Sequence, residues 1–312
     1  MIKAEHLTKR YGKFTAVDDL SFTVEDGEIV GFLGPNGAGK STTMNMLTGY
    51  ISMTAGEITI DGHDLLTDAT AAKSSVGYLP EIPPVYPEMT VGEYLNFVYD
   101  LKGCTLPRKQ HIAEVCDVTK TGDARDRVIK NLSKGFRQRI GIAEALIGDP
   151  KTIILDEPTI GLDPRQIVEM RNLIRILGRD RAVILSTHIL GEVQSVCDRL
   201  LIINKGRLIA DDKTENIVGR ISGRLRVRAS LAGPEKAVLS GVRALNGVIR
   251  ADAVAGGEAG AVTILIESEN GADVRRPLFA LAAAQNWPIL ALEQVGADLE
   301  NVFIALTAKD PV

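Results

Sequence analysis

The sequence predicts an α/β protein whose main sheet is parallel and buried on both faces, with antiparallel strands before it, a helical segment within it and a smaller α+β domain after it. Three observations carry that prediction. The runs "TIILDEP" (152–158) and "AVILSTH" (182–188) are continuously apolar, and an amphipathic helix from about Arg165 to Leu177 separates them; apolar strands alternating with helices mark a parallel sheet covered on both sides. The stretch "GPNGAGKST" (34–42) joins an apolar strand to a helix. After about residue 222 the chain turns to the order βαββαβ, the split βαβ arrangement of ferredoxin-like folds.

Taken in order, residues 2–33 read as short strands, "IKAEHLT" and then "LSFTVEDGEIVGFLG", with Asp26-Gly27 as a hairpin turn between two apolar-alternating arms. A helix from about Lys40 to Thr48 follows, closed by Gly49, then "GEITIDGHDL" with a second Asp-Gly turn and the strand "VGYLP". Residues 82–147 form a helical subdomain, mostly helix from residue 90 onward. Thr90 and Glu93 make a capping box at its first helix, and Tyr94, Val98 and Leu101 share one face of it. In the last domain "LRVRAS" alternates, Pro234 to Leu245 is helical, "VIRADAV" and "AVTILIE" flank the turn "GGEAG", and Pro277 opens a helix that leads to the strand "ILALEQV". Leu299, Val302, Phe303 and Leu306 predict one further amphipathic helix. The expected domains are therefore 1–220 and 221–312.

A chain of 312 residues, 45% hydrophobic and 24% charged, buries a substantial core and favours two domains. A net charge of −4 argues against a protein that coats nucleic acid, because phosphate neutralisation needs a basic surface. Cys104, Cys116 and Cys197 form no CxxC pair, which suggests neither a disulfide framework nor a thiolate metal site and fits a reducing cytoplasm. The N-terminus is charged from Lys3, unlike a secretory leader, and no apolar run approaches the roughly 18 residues that span a bilayer.

The stretch Gly34, Pro35, Asn36, Gly37, Ala38, Gly39, Lys40, Ser41, Thr42 follows a strand and opens a helix, the context in which GxxxxGK[ST] cradles phosphate. Its glycines let backbone N–H groups point inward, Lys40 reaches the β- and γ-phosphates, and the Ser41 hydroxyl ligates Mg²⁺. Asp156 ends an apolar strand, where an open α/β sheet places its ligand groups, and suits a carboxylate supporting that Mg²⁺. Glu157 follows it, placed either to activate a water as general base or to be a solvated strand-end acid; spacing alone leaves the two readings equal. His188 also ends an apolar strand, and a lone histidine there is more often structural than catalytic.

Together these residues resemble the ATP-binding subunit of an ABC transporter over roughly residues 1–220. Tyr11 matches the aromatic residue that stacks on adenine, "GPNGAGKST" the Walker A loop, "GYLPE" the Q-loop, "LSKGFRQR" (132–139) the signature, "TIILDEP" Walker B, "GLDP" the D-loop and His188 the switch histidine. The resemblance implies ATP and Mg²⁺ as cofactors, Glu157 and His188 driving hydrolysis, and Ser133, Gly135 and Asp163 acting on ATP held by a second subunit. Such a role suits a helix N-terminus, which offers free N–H donors to an anion. Two departures stand out: Lys134 and Phe136 replace a glycine and the glutamine of the usual LSGGQ, and Glu81 occupies the Q-loop position, where its carboxylate would join the catalytic and metal-binding groups. Both variants, and the C-terminal "LENVFIALT", are similar to the ABC-2 exporter subgroup of gliding-motility, antibiotic-resistance and copper-maturation ATPases. That resemblance implies a second copy or a homologous ATPase subunit and an ABC-2 permease as partners, and an extracytoplasmic auxiliary subunit as a further candidate. Its place would be the cytoplasmic face of the membrane, the permease docking on the helical segment. A soluble ABC ATPase acting on ribosomes or DNA is the alternative, but those usually carry two nucleotide domains or a long coiled coil, and this sequence has neither.

Overall fold

A computed structural model describes residues 1–217, 226–254, 260–269 and 272–295, and the chain divides into two units, Met1–Thr214 and Glu215–Val312. In the first, β1 (Ile2–Tyr11) and β2 (Phe14–Val24) pair antiparallel around a turn in which Gly12 takes φ +59°. Ile2, Ala4 and Leu7 of β1 and Leu20, Phe22 and Val24 of β2 are buried in one apolar cluster, while the residues between them face outward, so the pair is an amphipathic, one-sided sheet. β3 (Ile29–Leu33) is buried at every position, the burial of a strand covered on both faces. Asp26-Gly27 is consequently not the expected hairpin turn: the reversal is there, with Gly27 at φ +78°, but β2 and β3 enter different sheets, because one has a single apolar face and the other has two.

α1 (Lys40–Leu47) follows the glycine-rich loop. β4 (Ala55–Ile60) then pairs antiparallel with β1, and β5 (His63–Asp64) with β4, through Asp61 at φ +50° and Gly62 at +83°, the conformation a two-residue type I′ turn requires. The first sheet thus runs β2-β1-β4-β5. After α2 (Ala69–Ser74) comes β6 (Val76–Leu79), an edge of the second sheet.

The helical segment holds α3 (Val91–Leu101), α4 (Arg108–Thr119) and α5 (Lys134–Leu146). Thr90 and Glu93 form the expected capping box, the Thr90 hydroxyl accepting from the Glu93 N–H at 3.2 Å and the Thr90 N–H donating to the Glu93 carboxylate at 2.8 Å; a cap of this kind contributes about 1 kcal/mol. Tyr94 and Val98 are buried as expected, but Leu101 is 72% exposed. It shares their angular position yet closes the helix, where no neighbour covers it, and Val91, Leu95 and Tyr99 complete the buried face instead.

β7 (Thr152–Asp156), α6 (Pro164–Leu177), β8 (Ala182–Thr187), α7 (Leu190–Val196), β9 (Arg199–Asn204) and β10 (Arg207–Lys213) finish the first unit. The second sheet runs β10-β9-β3-β8-β7-β6, parallel throughout except for the antiparallel edge β10. The ends of β6, β7, β8 and β3 therefore lie side by side along one edge. All three cysteines are free, and no described helix is long and apolar enough to cross a membrane.

The second unit contains β11 (Arg226–Leu231), α8 (Glu235–Arg243), β12 (Val248–Ala253), β13 (Val262–Ser268), α9 (Arg275–Ala284) and β14 (Ile289–Val295). Every pairing is antiparallel and the sheet runs β12-β13-β11-β14. Val238 and Val242 of α8 and Leu278 and Ala282 of α9 pack with Val227, Ala229, Ile264 and Ile266 of the sheet in a core of their own. Pro277 is the third residue of α9 rather than the first, its ring still within the turn whose N–H groups need no partner in the helix. The expected helix at Leu299–Leu306 and nearly all of the turn "GGEAG" lie outside the described residues.

Candidate functional site

Four strand ends of the parallel sheet deliver one group each to the same edge, as crevices beyond the carboxyl ends of parallel strands are built. β3 runs into the loop 34–39, β6 leads to Glu81, β7 ends in Asp156-Glu157 and β8 in Thr187-His188. They surround a cavity of about 480 Å³ lined by Gly37, Lys40, Ser41, Glu81, Glu157 and His188 among others.

The loop requires glycine at position 39. Gly39 sits at φ +107°, and a Cβ there would stand 2.6 Å from the Ala16 carbonyl oxygen. Only glycine admits that conformation and that approach. The loop delivers Lys40 into the first turn of α1, where its ammonium is almost wholly buried and donates to the Gly34 carbonyl at 2.8 Å and to that of Pro35 at 3.4 Å. Burial pulls its pKa below the ordinary lysine range, against the opposing charges of Glu157, Asp156 and Glu81. The nearest of these, Glu157 Oε1, is 3.8 Å away. The buried cation thus stands among three carboxylates and two carbonyls, a setting that favours an incoming polyanion able to replace them.

Asp156 accepts a hydrogen bond from the Ser186 hydroxyl, and the Ser41 hydroxyl faces the same carboxylate. Burial holds its carboxyl above the usual carboxylate range, the two hydroxyls and Lys40 opposing. Ser186 is a residue that sequence reasoning passed over, although its place opposite Asp156 in the β7–β8 register was the available signal. Among the described residues there is no cluster of three or more His, Cys, Asp or Glu able to enclose a metal. The Ser41 hydroxyl and the Asp156 carboxylate are instead two hard oxygen donors that face each other. That donor set suits Mg²⁺, which is held by one or two protein oxygens together with phosphate oxygens and water.

Glu157 is a non-glycine residue at φ +49°, its N–H donating to the Ser186 carbonyl at 3.0 Å. This left-handed backbone costs on the order of 1 kcal/mol and turns the chain so that successive carboxylates diverge: Asp156 goes to the serines, Glu157 to the cavity. His188 Nδ1 lies 2.9 and 3.0 Å from the two Glu157 oxygens. A carboxylate only accepts, so Nδ1 carries the proton. His188 is therefore tied to a carboxylate inside the cavity, and is not an isolated strand-end histidine. Glu81 faces the same cavity with an exposed side chain, while its carbonyl accepts from Gln138 of α5 at 3.3 Å.

The remaining expected residues lie elsewhere. Ser133 caps α5, its Oγ accepting from the Phe136 N–H at 3.3 Å, and Asp163 caps α6, its Oδ1 accepting from the Gln166 N–H at 2.9 Å. The two helix starts adjoin, since a Cβ on Gly135 would stand 2.6 Å from Gln166 Oε1 and one on Gly161 would stand 2.4 Å from Lys134 Nζ. Ser133, Gly135 and Asp163 form one cluster, and none of them lines the Lys40 cavity. Tyr11 does not line it either; Phe14 does.

The ABC transporter family model matches residues 17–160. A linearmycin resistance ATP-binding protein of Bacillus subtilis is 34% identical over 312 residues, 99% of each chain. A bacitracin transport ATP-binding protein of Bacillus licheniformis is 37% identical over 241 residues, 77% of this chain and 78% of that one. Among solved structures, a dimeric bacterial ABC transporter cassette superposes with a TM-score of 0.62 at 25% identity, over 69% of this chain and 99% of that one.

Proposed function

Since the chain belongs to the ABC transporter ATP-binding family and is an ABC ATPase, we propose that it is the ATP-hydrolysing subunit of an ABC-2 type exporter, working as a head-to-tail dimer on a separate permease. The observation that carries the reading is the convergence of Lys40, Ser41, Asp156, Glu157 and His188 on one edge of the parallel sheet. The linearmycin-resistance and bacitracin-transport names of relatives matching 99% and 77% of this chain support the export class.

In this reading Lys40 exchanges the Gly34 and Pro35 carbonyls for the β- and γ-phosphates. Glu157 takes the proton of the attacking water, which stands between its carboxylate and the γ-phosphate. His188, through Nδ1–H, keeps that carboxylate aimed. Ser41 and Asp156, with Glu81, would hold Mg²⁺, which when bound neutralises phosphate charge. Ser133, Gly135 and Asp163 serve the ATP of the partner subunit. Their absence from the lining of the Lys40 cavity of their own chain and the dimeric form of a similar cassette both support that assignment.

Residues 1–220 form the nucleotide-binding domain in this proposal and 221–312 an accessory domain. The antiparallel order β12-β13-β11-β14 of the latter, 2-3-1-4 in its own numbering, is the order of a ferredoxin-like sheet and supports that reading. The membrane is reached through the permease at its cytoplasmic face, with an extracytoplasmic subunit as a further partner. The test is a pair of variants. Glu157→Gln should keep ATP, lose turnover and accumulate as nucleotide-bound dimers on size exclusion, whereas Lys40→Ala should lose ATP affinity. Near-normal turnover by Glu157→Gln would refute the assignment of the base.

A further inference from the structure

Gln138, on the second turn of α5, is 1% exposed. Its Nε2 donates to the Glu81 carbonyl at 3.3 Å; a carbonyl only accepts, so the NH₂ side of the amide faces it. The other side is unpaired: Gln138 Oε1 is buried and meets no donor among the described residues. Such atoms are rare in folded proteins, since an unmade buried acceptor forfeits its hydration and gains nothing in return.

Matching donors lie on the segment that Nε2 already touches. Pro80, Pro83 and Pro84 carry no N–H, so between Leu79 and Val85 only Glu81 and Ile82 have one. Neither has a hydrogen-bond partner among the described residues. α5 is pressed against this segment: a Cβ on Gly141, one turn beyond Gln138, would stand 2.4 Å from Leu79 Cδ1 and 3.0 Å from Pro83 Cβ, and one on Gly77 would stand 2.3 Å from the Ala145 carbonyl oxygen. Glu81 lies past Leu79, the last residue of the β6–β7 ladder, so its main chain is free of the sheet. A primary amide presents its N–H and its C=O side by side, and an extended residue does the same with its main chain, as in the doubly bonded residue pairs of an antiparallel sheet. Gln138 therefore matches both main-chain groups of Glu81, and one of the two bonds is made.

We propose that Gln138 is a positioning residue for Glu81, and that its second bond, from the Glu81 N–H to Gln138 Oε1, closes when a nucleotide seated in the cavity confines the Glu81 main chain. The proposal rests on the cavity being the ATP site. A bond made only in the bound state adds its free energy to nucleotide affinity. Because α5 begins at Ser133 and Gly135, the same bond fastens the helix assigned to the partner's ATP to the cavity wall of its own chain.

The experiment compares the full chain with Gln138→Met, a side chain of similar length without the amide, using the non-hydrolysable analogue AMP-PNP with Mg²⁺. Without nucleotide the variant should melt at or above the wild type, because the unpaired acceptor leaves with the amide. Its affinity for the analogue should fall by up to about tenfold, the worth of one hydrogen bond. Amide hydrogen exchange reads the bond itself, since Glu81 and Ile82 carry the only N–H groups between Leu79 and Val85. In the wild type the Glu81 N–H should exchange about tenfold more slowly once the analogue binds. Gln138→Met should lose that protection while residues 37–41 stay protected, and Glu81→Gln, which keeps both main-chain groups, should retain it. Protection of the Glu81 N–H that survives in Gln138→Met, or that is missing from the wild type while residues 37–41 are protected, would overturn the proposal. If the analogue protects neither segment in the wild type, the cavity is not the ATP site and the underlying reading falls with it.

Discussion

Two inactive subunits, one carrying Lys40→Ala and the other Gly135→Asp, should recover activity when mixed if the α5 start serves the partner's ATP. Gly135 is buried at that helix start, and a side chain there displaces only the flexible end of Gln166, 2.6 Å from the Cβ position. An aspartate near a helix N-terminus favours the helix by about 0.3–1 kcal/mol, so the variant should fold. Its harm is electrostatic. A carboxylate about 4 Å from a phosphate charge, at an effective dielectric near 20, costs roughly 4 kcal/mol, or about three decades of rate. Each homodimer is then dead. In a mixed dimer one site collects both lesions and the other has neither. Random pairing makes about half the dimers mixed, and half the sites in those are intact, so up to about a quarter of wild-type ATP hydrolysis should return. The assay is steady-state phosphate release across mixing ratios, with differently tagged subunits to count mixed dimers. Absence of rescue with mixed dimers present, together with absence of a single-turnover burst, would refute action in trans; a burst without steady turnover would mean that both sites must fire together.

Glu81→Gln should stay active but require more Mg²⁺; an unchanged Mg²⁺ titration of ATP hydrolysis would place the carboxylate's role elsewhere. A chain ended near residue 220 keeps the apolar cluster of the first unit and every residue of the cavity, so it should bind ATP while dimerising or coupling less well, and loss of ATP binding by a folded truncation would contradict this. Asp156→Asn should stabilise the nucleotide-free protein at pH 7 by on the order of 1 kcal/mol while abolishing turnover. Burial raises the Asp156 pKa in the folded state, so the stability linked to its proton is complete at low pH and lost as pH rises through that value. The gain, read by thermal melts, should shrink toward pH 4, and a gain that grew on acidification would refute the sign.

What the sequence made legible follows from topology. Continuous apolar runs such as Thr152–Asp156 and Ala182–Thr187 have no polar face to offer water, so they belong to a parallel sheet, and parallel strands bring their ends together. Lys40, Asp156, Glu157 and His188 all follow such strands, while the chemical roles of Glu157 and His188 come from the family resemblance and not from topology. The turn at Asp26-Gly27 was legible as a reversal but not as a junction between sheets, since turn chemistry specifies a local backbone and says nothing about the strand's partner. Which of Tyr11 and Phe14 borders the cavity was illegible for a related reason. The β1–β2 register shifts between Ala4 and Leu7, Leu7 and Lys9, and Lys9 and Arg10, which breaks the period of two from which facing is read. Glu157's left-handed backbone left no mark in the sequence at all.

The signature cluster is illegible in a different sense, because within one chain it is already complete. Ser133 and Asp163 each satisfy an N–H of their own helix, and the Gly135 surface is covered by Gln166. Judged by hydrogen bonding alone, "LSKGFRQR" is a helix start that needs nothing further. A capped helix nevertheless keeps N–H groups that no side chain of its own reaches, since one cap satisfies one of four. Those spare donors carry no cost in water and gain value only when an anion displaces the water, which the Lys40 cavity of the same chain cannot supply. On the proposed reading the cluster's chemistry is a property of the dimer, and mixing subunits tests it where single-chain mutagenesis does not.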